Sequence, residues 1–361
     1  MRRLLVVPVA VATVLTPIRA GAQTTSAPAA QSIRVGATIF YDYTYTARPK
    51  VVDADGHAVS AGAFDVKRTY LNITGTVSPL ISFRITPDIR RETGAGSSLN
   101  GSLNFRLKYA YVQFALDEWL PAGARVRAGM HQTPFIESQE GVYRYRFQGT
   151  LYAERDGGLS SADMGVSFRT PLPSSYGDVQ VSLFNGEGYT RPEVNDQKSV
   201  QLRATVRPLP QAAHPLGGLR VTAFYNHDAY LRDAGRRRFI ASAMFEHARF
   251  NAGFDVLTGT DQLRSGAPEL DSRGLSFFVT PFFDEKGTGF EGLLRYDYYR
   301  ANVDLNGAQK RLIVGGAYWF PHPGGPAIAA LLLDYEQVSF SGALAGQPRQ
   351  RRIGVHGLIN F

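Results

Sequence analysis

The chain closes on Arg351-Arg352-Ile353-Gly354-Val355-His356-Gly357-Leu358-Ile359-Asn360-Phe361. Ile353, Val355, Gly357, Ile359 and Phe361 alternate with Arg352, Gly354, His356, Leu358 and Asn360. A period of two puts the two sets on opposite faces of a strand. Terminal residues are usually frayed and polar, whereas this pattern makes the last residue a member of a sheet. A buried terminal strand in a soluble sandwich would read the same way, so the interpretation turns on the rest of the chain.

The other end reads Met1-Arg2-Arg3, an apolar run from Leu4 to Leu15, Pro17, then Ala20-Gly21-Ala22. A basic start, a short apolar stretch and an A-x-A site are the parts of a secretory signal peptide. Cleavage is expected after Ala22, making residues 1–22 the leader. An uncleaved anchor helix needs about 20 apolar residues, which this run lacks. Residues 23–31, rich in Thr, Ser, Ala and Pro, read as a linker. Residues 32–361 read as one β-barrel domain, and no other segment approaches a transmembrane helix.

The composition fits a membrane barrel. Aromatic residues make up 12%, with 18 Tyr and 22 Phe, and there are 37 Gly and no Cys. Mean hydropathy is only -0.17, as expected when each strand alternates lipid-facing apolar with lumen-facing polar residues. Of 39 basic residues against 31 acidic ones, only Lys50, Lys67, Lys108, Lys198, Lys286 and Lys310 are lysine. Arginine dominates.

Period-two segments fall near 32–46, 64–77, 79–90, 102–115, 123–132, 160–170, 177–186, 197–207, 217–227, 237–248, 250–259, 272–281, 289–301, 310–320, 327–338 and 349–361. Sixteen strands are predicted. Ala327 to Leu333 is apolar on both faces and cannot be phased. Odd connections tend to be long (47–63, 91–101, 133–159, 228–236) and even ones short, often rich in Pro and Gly, as in 321–326. Outer-membrane barrels have this asymmetry between extracellular loops and periplasmic turns, and an even strand count places both termini on the periplasmic side. Tyr41, Tyr43, Tyr45, Tyr109, Tyr111, Tyr296, Tyr298, Tyr318, Phe320 and Phe361 are candidates for interfacial girdles. In such barrels the last strand must close on the first. The end of this chain resembles their terminal signature, which implies that Phe361 is read by the barrel-assembly machinery.

The longest connection follows the fifth strand, Arg127-Ala-Gly129-Met-His131-Gln-Thr133-Pro134-Phe135-Ile-Glu137. It resembles the phosphate-selective porin O and P family, whose fifth strand runs through Gly-x-x-x-x-Pro-Phe into an inward constriction loop. Arg68-Thr-Tyr70-Leu-Asn72-Ile-Thr-Gly75 and Leu183-Phe-Asn-Gly186-Glu-Gly-Tyr189 are similar patches. The resemblance implies an outer-membrane location and a homotrimeric porin. It also implies passive diffusion of small hydrophilic solutes, with small anions such as phosphate as partners. The constriction loop would hold Pro134, Phe135, Glu137, Glu140, Arg144, Arg146 and Arg155.

By strand phasing, Arg34, Arg68, Arg84, Arg106, Lys108, Arg125, Arg127, Arg203, Arg207, Arg220, Arg295 and Arg311 face the lumen. Guanidinium forks match phosphate and carboxylate, and rings of such residues favour anions in a pore. Asp42, Asp88, Glu246, Glu291, Asp297 and Asp334 also face inward and would brace the wall. Glu137 and Glu140 are expected opposite Arg84, Arg125 and Arg127. An anion-preferring channel and a charge-balanced general porin therefore both stay open. Arg236-Arg237-Arg238 is expected at an outer loop edge, where it could meet lipopolysaccharide phosphates.

No His pair has metal-ligand spacing, and no cofactor, catalytic set or nucleic-acid partner is expected. Gly287-Thr-Gly-Phe-Glu-Gly292 fits G-x-G-x-x-G but runs into a strand, not a helix. The alternative is a barrel enzyme or adhesin with a plugged lumen, for which His227-Asp228 is the obvious pair to inspect.

Overall fold

The computed structural model describes residues 32–94, 96–211, 216–322 and 328–361; the expected leader and linker lie outside them. Sixteen antiparallel strands form a closed barrel in sequence order. They are β1 Ser32–Val52, β2 Ala58–Thr76, β3 Ile81–Arg91, β4 Leu103–Ala115, β5 Arg125–Gln132, β6 Ala162–Pro171, β7 Gly177–Phe184 and β8 Ser199–Val206, followed by β9 Leu219–Leu231, β10 Ala234–Glu246, β11 Phe250–Asp261, β12 Leu270–Pro281, β13 Gly289–Arg300, β14 Gly307–Trp319, β15 Ile328–Gly342 and β16 Gln350–Asn360. Two short helices, α1 Pro134–Glu140 and α2 Tyr152–Arg155, interrupt the β5–β6 connection.

The terminal pattern has its explanation in the closure. β16 pairs with β1 from Thr38↔Asn360 onward. Phe361 adds two further bonds, its N–H to Ala37 O (3.0 Å) and the Ala37 N–H to its own carbonyl (2.9 Å). Ile353, Val355, Ile359 and Phe361 are exposed on the outer face while His356 and Leu358 are buried. The same alternation covers the barrel. On β8, Val200, Leu202, Ala204 and Val206 point out, and Gln201, Arg203 and Thr205 point in. The outer surface is a band of exposed Val, Leu, Ile and Phe, with Phe64 85% exposed. Such a surface is stable against lipid, not water. The barrel is of the bacterial outer-membrane type.

Three local readings need correction. The expected long loop 228–236 is strand apart from Arg232–Asp233, with Asp233 in the left-handed region (φ 59), so the alternation of long and short connections breaks there. Arg236, Arg237 and Arg238 accordingly sit on β10, paired with Asp228, Glu269 and Asp261, and not on a loop edge. β1 and β2 extend as a hairpin beyond the expected ends. Their turn is set by Asp53, whose Oδ1 accepts the Asp55 and His57 N–H groups (3.0 and 2.8 Å).

Two bulges reset side-chain phase. On β4 the pairing passes from Thr86↔Tyr109 to Pro87↔Leu107, leaving Lys108 as the extra residue. Pro87 has no N–H to give the ladder, and strands tolerate proline at bulges. Lys108 and Tyr109 are therefore both buried on the inner side. Tyr111 turns inward too, near Arg127 and His131, so Tyr109 and Tyr111 are not girdle residues. On β2, Phe40↔Arg68 is followed by Tyr41↔Val66. That places Lys67 and Arg68 together inside.

Candidate functional site

The β5–β6 connection folds into the lumen, and its local sequence starts the turn. Thr133 occupies the cap position with extended backbone, and Pro134 begins α1, where its missing N–H costs nothing. The Thr133 hydroxyl donates to Ser160 O (2.5 Å) and its N–H to Ser161 O (3.2 Å), which pins the stem of the segment.

Beyond the stem, aromatic residues dock on one wall. Phe135 meets Phe224 of β9 (ring centroids 5.2 Å), and Tyr143 meets Phe278 of β12 (5.0 Å). Tyr145 and Phe147 meet Trp319 of β14 (5.9 and 6.0 Å), and Phe147 also reaches Phe40 of β1. Each such pair adds roughly 0.5–1.5 kcal/mol beyond its burial. The apolar core of the molecule is this segment together with inward residues of β9 to β16 and Phe40.

Polar tethers fix it further. Gln139 donates to Asp255 (2.8 Å) and Ser242 (3.2 Å), and Asn251 donates to Val142 O (3.0 Å). Arg144 pairs with Glu291 and lies over Trp319 (4.3 Å). Glu291 also accepts from the Tyr145 hydroxyl (2.8 Å). Arg155 pairs with Asp297 (2.6 Å). A charge removed from water needs such partners to be tolerated.

The opposite wall, β2 to β4, is polar and basic. Arg68 and Arg106 share Asp88 (3.2 and 2.8 Å). Both also donate to the Tyr189 hydroxyl, brought in by the β7–β8 connection (3.1 and 2.9 Å). Lys108 reaches Tyr70 OH (3.2 Å). Among the described residues Arg84 donates to two neutral partners, Asn72 (2.8 Å) and Thr86 (2.9 Å), and it lies over the Tyr109 ring (4.6 Å). A gap of about 170 Å³ separates this wall from Glu140 and Arg146 of the segment. Below it, Arg34 and Arg84 line a wider cavity of about 360 Å³.

The expected site residues thus divide. Arg34, Arg68, Arg84, Arg106 and Lys108 gather on the open wall. Arg127 and Arg125 face Glu137 (2.8 and 3.8 Å), as expected. Burial opposes the charge on Glu137, but Arg127 and Arg125 outweigh it and hold the carboxyl below its ordinary range. Glu140 lies across the gap from Arg84, as expected, but its ion pair is made within the segment. It pairs with Arg146 (2.7 Å), which also binds Glu154 (3.0 Å). Arg203 pairs with Asp178 and Arg220 with Glu246. Arg295 and Arg311 point inward but brace the wall behind the segment, paired with Asp297 (3.0 Å) and Glu336. Arg295 is only 2% exposed.

Sequence reasoning missed Lys67, paired with Asp42 (2.6 Å), because a bulge brings it inside. It also missed Tyr189, although that residue ends one of the quoted motifs. His227 and Asp228 lie on opposite faces of β9 and form no pair. Gly289 to Gly292 runs along β13, as its context suggested. Among the described residues no cluster of His, Asp and Glu is arranged to hold a metal.

No family model matches the chain, and no curated protein matches it in sequence. Solved structures do. An anion-selective porin from Comamonas acidovorans superposes with TM-score 0.63 at 12% identity, covering 92% of this chain and 100% of that one. The chain has the fold of an outer-membrane porin. The outer membrane channel DcaP of Acinetobacter baumannii gives TM-score 0.59 at 13% identity over 92% and 97% of the two chains. The trimer form of OmpT, an outer membrane protein of Vibrio cholerae, gives 0.59 at 11% over 92% and 100%.

Proposed function

We propose that this protein is a porin for passive diffusion of small hydrophilic solutes, with a preference for small anions, phosphate-like ones among them. The observation that carries the reading is the β2–β4 wall. There Arg68 and Arg106 share the one carboxylate of Asp88, Lys108 donates to the Tyr70 hydroxyl, and the partners of Arg84 among the described residues, Asn72 and Thr86, are neutral. Fixed cations in a narrow, partly desolvated passage concentrate anions and oppose cations. Barrels of sixteen strands are wide enough for an aqueous channel, and a gap of about 170 Å³ lies between the inward segment and the basic side. The anion-selective porin and the DcaP channel among the structural neighbours support the same reading, and the trimer form of OmpT supports a homotrimer.

The test is the reversal potential across a planar bilayer in a KCl gradient, followed by phosphate titration. Reversal toward chloride with block by phosphate is expected. Reversal near zero or toward potassium would mean that the lumenal acids balance the arginines, which is a general porin. No conductance would remove the channel reading.

A further inference from the structure

The β7–β8 connection, residues 185–198, enters the lumen through Gly186 and Gly188, both in the left-handed region (φ 109 and 74) that glycine adopts at no steric cost. The turn is tightly packed: a Cβ on Gly188 would stand 2.6 Å from Ser160 Oγ, and one on Gly186 would strike Asp228. It is also fastened to two strands. The Asn185 and Gly186 N–H groups donate to Met164 O (2.9 Å) and Asp163 Oδ2 (2.9 Å) of β6, and Arg236 of β10 gives Nη2 to Gly186 O (2.8 Å).

The residue after this turn is Tyr189. Its hydroxyl accepts from Arg68 Nη1 (3.1 Å) and Arg106 Nη2 (2.9 Å). Arg106 lies over its ring (4.7 Å), with the Lys108 ammonium at 5.8 Å. No described residue accepts the proton of that hydroxyl. A phenol oxygen that receives two charge-assisted bonds and gives none stands where an anion would be best placed. Behind the two guanidinium groups, Asp88 Oδ1 has no donor among the described residues. The arginines would therefore have a second seat on Asp88 if the hydroxyl were gone.

We infer that Tyr189 is the positioning residue of the basic wall: it shares Arg68 and Arg106 with Asp88 and keeps them from closing fully on that carboxylate, so that anion preference depends on a side chain delivered by the β7–β8 loop. The inference rests on the porin reading and deepens it.

The surroundings of Tyr189 make this role testable by pH. Arg68, Arg106 and Lys108 face it from β2 and β4, with Asp88 and the Tyr70 hydroxyl behind them. On its other side a cavity of about 510 Å³ is lined by Glu154, Asp163, Asp228, Arg236 and the loop's own Glu187 and Arg191. Glu154 is paired with Arg146 and Asp228 with Arg236. Asp163 takes the Met164 and Gly186 N–H groups, and Glu187 accepts from Asn195. Burial opposes ionisation of the Tyr189 phenol, but Arg68, Lys108 and Arg106 outweigh it and hold its pKa below the ordinary value. The phenolate sets a negative charge amid the wall, so anion preference should fall as pH rises.

Tyr189→Phe keeps the ring and removes both the acceptor and the proton. The experiment reads reversal potentials in a KCl gradient at neutral and alkaline pH, together with an ultraviolet difference titration of phenolate absorbance on the purified full-length barrel. At neutral pH the variant is expected to have a lower chloride-to-potassium permeability ratio than the natural chain. The natural chain is expected to lose anion preference below the ordinary tyrosine value of about 10, with one phenol ionising in that range, and the variant to lack both signals. Gly188→Ala strains the turn and leaves the tyrosine in the chain, and it is expected to reproduce the fall at neutral pH. An unchanged permeability ratio in Tyr189→Phe at both pH values overturns the inference, as does a titration in which the variant loses no early-ionising phenol. A barrel that does not conduct but shows that phenol sinks the porin reading and upholds the placement of Tyr189. One that conducts without it sinks the inference alone.

Discussion

The two sides of the barrel interior are built from the same alternating strands yet do opposite things. Inward positions of β9 to β15 carry Phe224, Ile240, Leu257, Phe278, Leu293, Ile313 and Leu332, all buried under the aromatic face of the inward segment. Inward positions of β2 to β8 carry Arg68, Arg84, Arg106, Lys108, Arg127 and Arg203, with hydroxyls and amides between them. The apolar side holds the segment by burial and aromatic contact. On the polar side the cations are held by ion pairs and hydrogen bonds, with Lys108 and Arg203 buried among their partners, because a cation removed from water needs such partners. The inward segment thus lies against the apolar side, and a gap separates it from the charged one.

Breaking the holding side should have the largest effect. Arg144→Ala leaves Glu291 buried without its cation, a loss of about 3 kcal/mol for a disrupted buried pair. The segment should detach, seen as a higher and noisier single-channel conductance and faster proteolysis within 134–160. Unchanged conductance would mean that the aromatic contacts alone hold it.

The charged side should respond in selectivity, not in structure. Arg68→Gln/Arg106→Gln should lower the chloride-to-potassium permeability ratio several-fold, and Asp88→Asn should raise it, both read from reversal potentials. If the two variants shift the ratio in the same direction, this wall is not the selectivity element.

Acidification sharpens the contrast between the sides. The Glu137 carboxyl titrates below its ordinary value, so its pairing with Arg127 stabilises the fold fully above the unfolded carboxylate range. That stabilisation is lost as pH falls through the lowered folded value. Anion preference should therefore rise at the acid end, as Arg125 and Arg127 are freed, and the rise should be absent in Glu137→Gln. The smallest expected change is Arg84→Lys. It keeps the charge and gives up the fork to Asn72 and Thr86, so selectivity should hold while phosphate block weakens modestly.

The asymmetry also explains what could be read in advance. Each of the sixteen predicted strands has its counterpart in the structure, because a barrel between lipid and lumen imposes a period of two. Ala327 to Leu333 resisted phasing for a reason visible in β15: Leu331 and Leu333 face lipid while Ala330 and Leu332 pack under the segment. The segment was recognisable from Pro134-Phe135 and the length of its connection, but its helices were not, since seven and four residues are too short to show a period. Tyr109 and Tyr111 were misplaced because a bulge at Lys108 shifts phase by one residue, and alternation cannot register a shift it does not contain.

Local alternation and composition are enough to set the strand number, the lipid-facing set and the wealth of lumenal arginine. Which arginines pair one-to-one with acids, which lie beneath the segment and which share Asp88 is settled by the closed barrel. Those outcomes depend on partners far apart in the chain, such as Arg144 with Glu291 or Arg68 with Tyr189, and on bulges that bring Lys67 and Lys108 inside. Pairing across a lumen is a property of the closed barrel, and no single strand carries it.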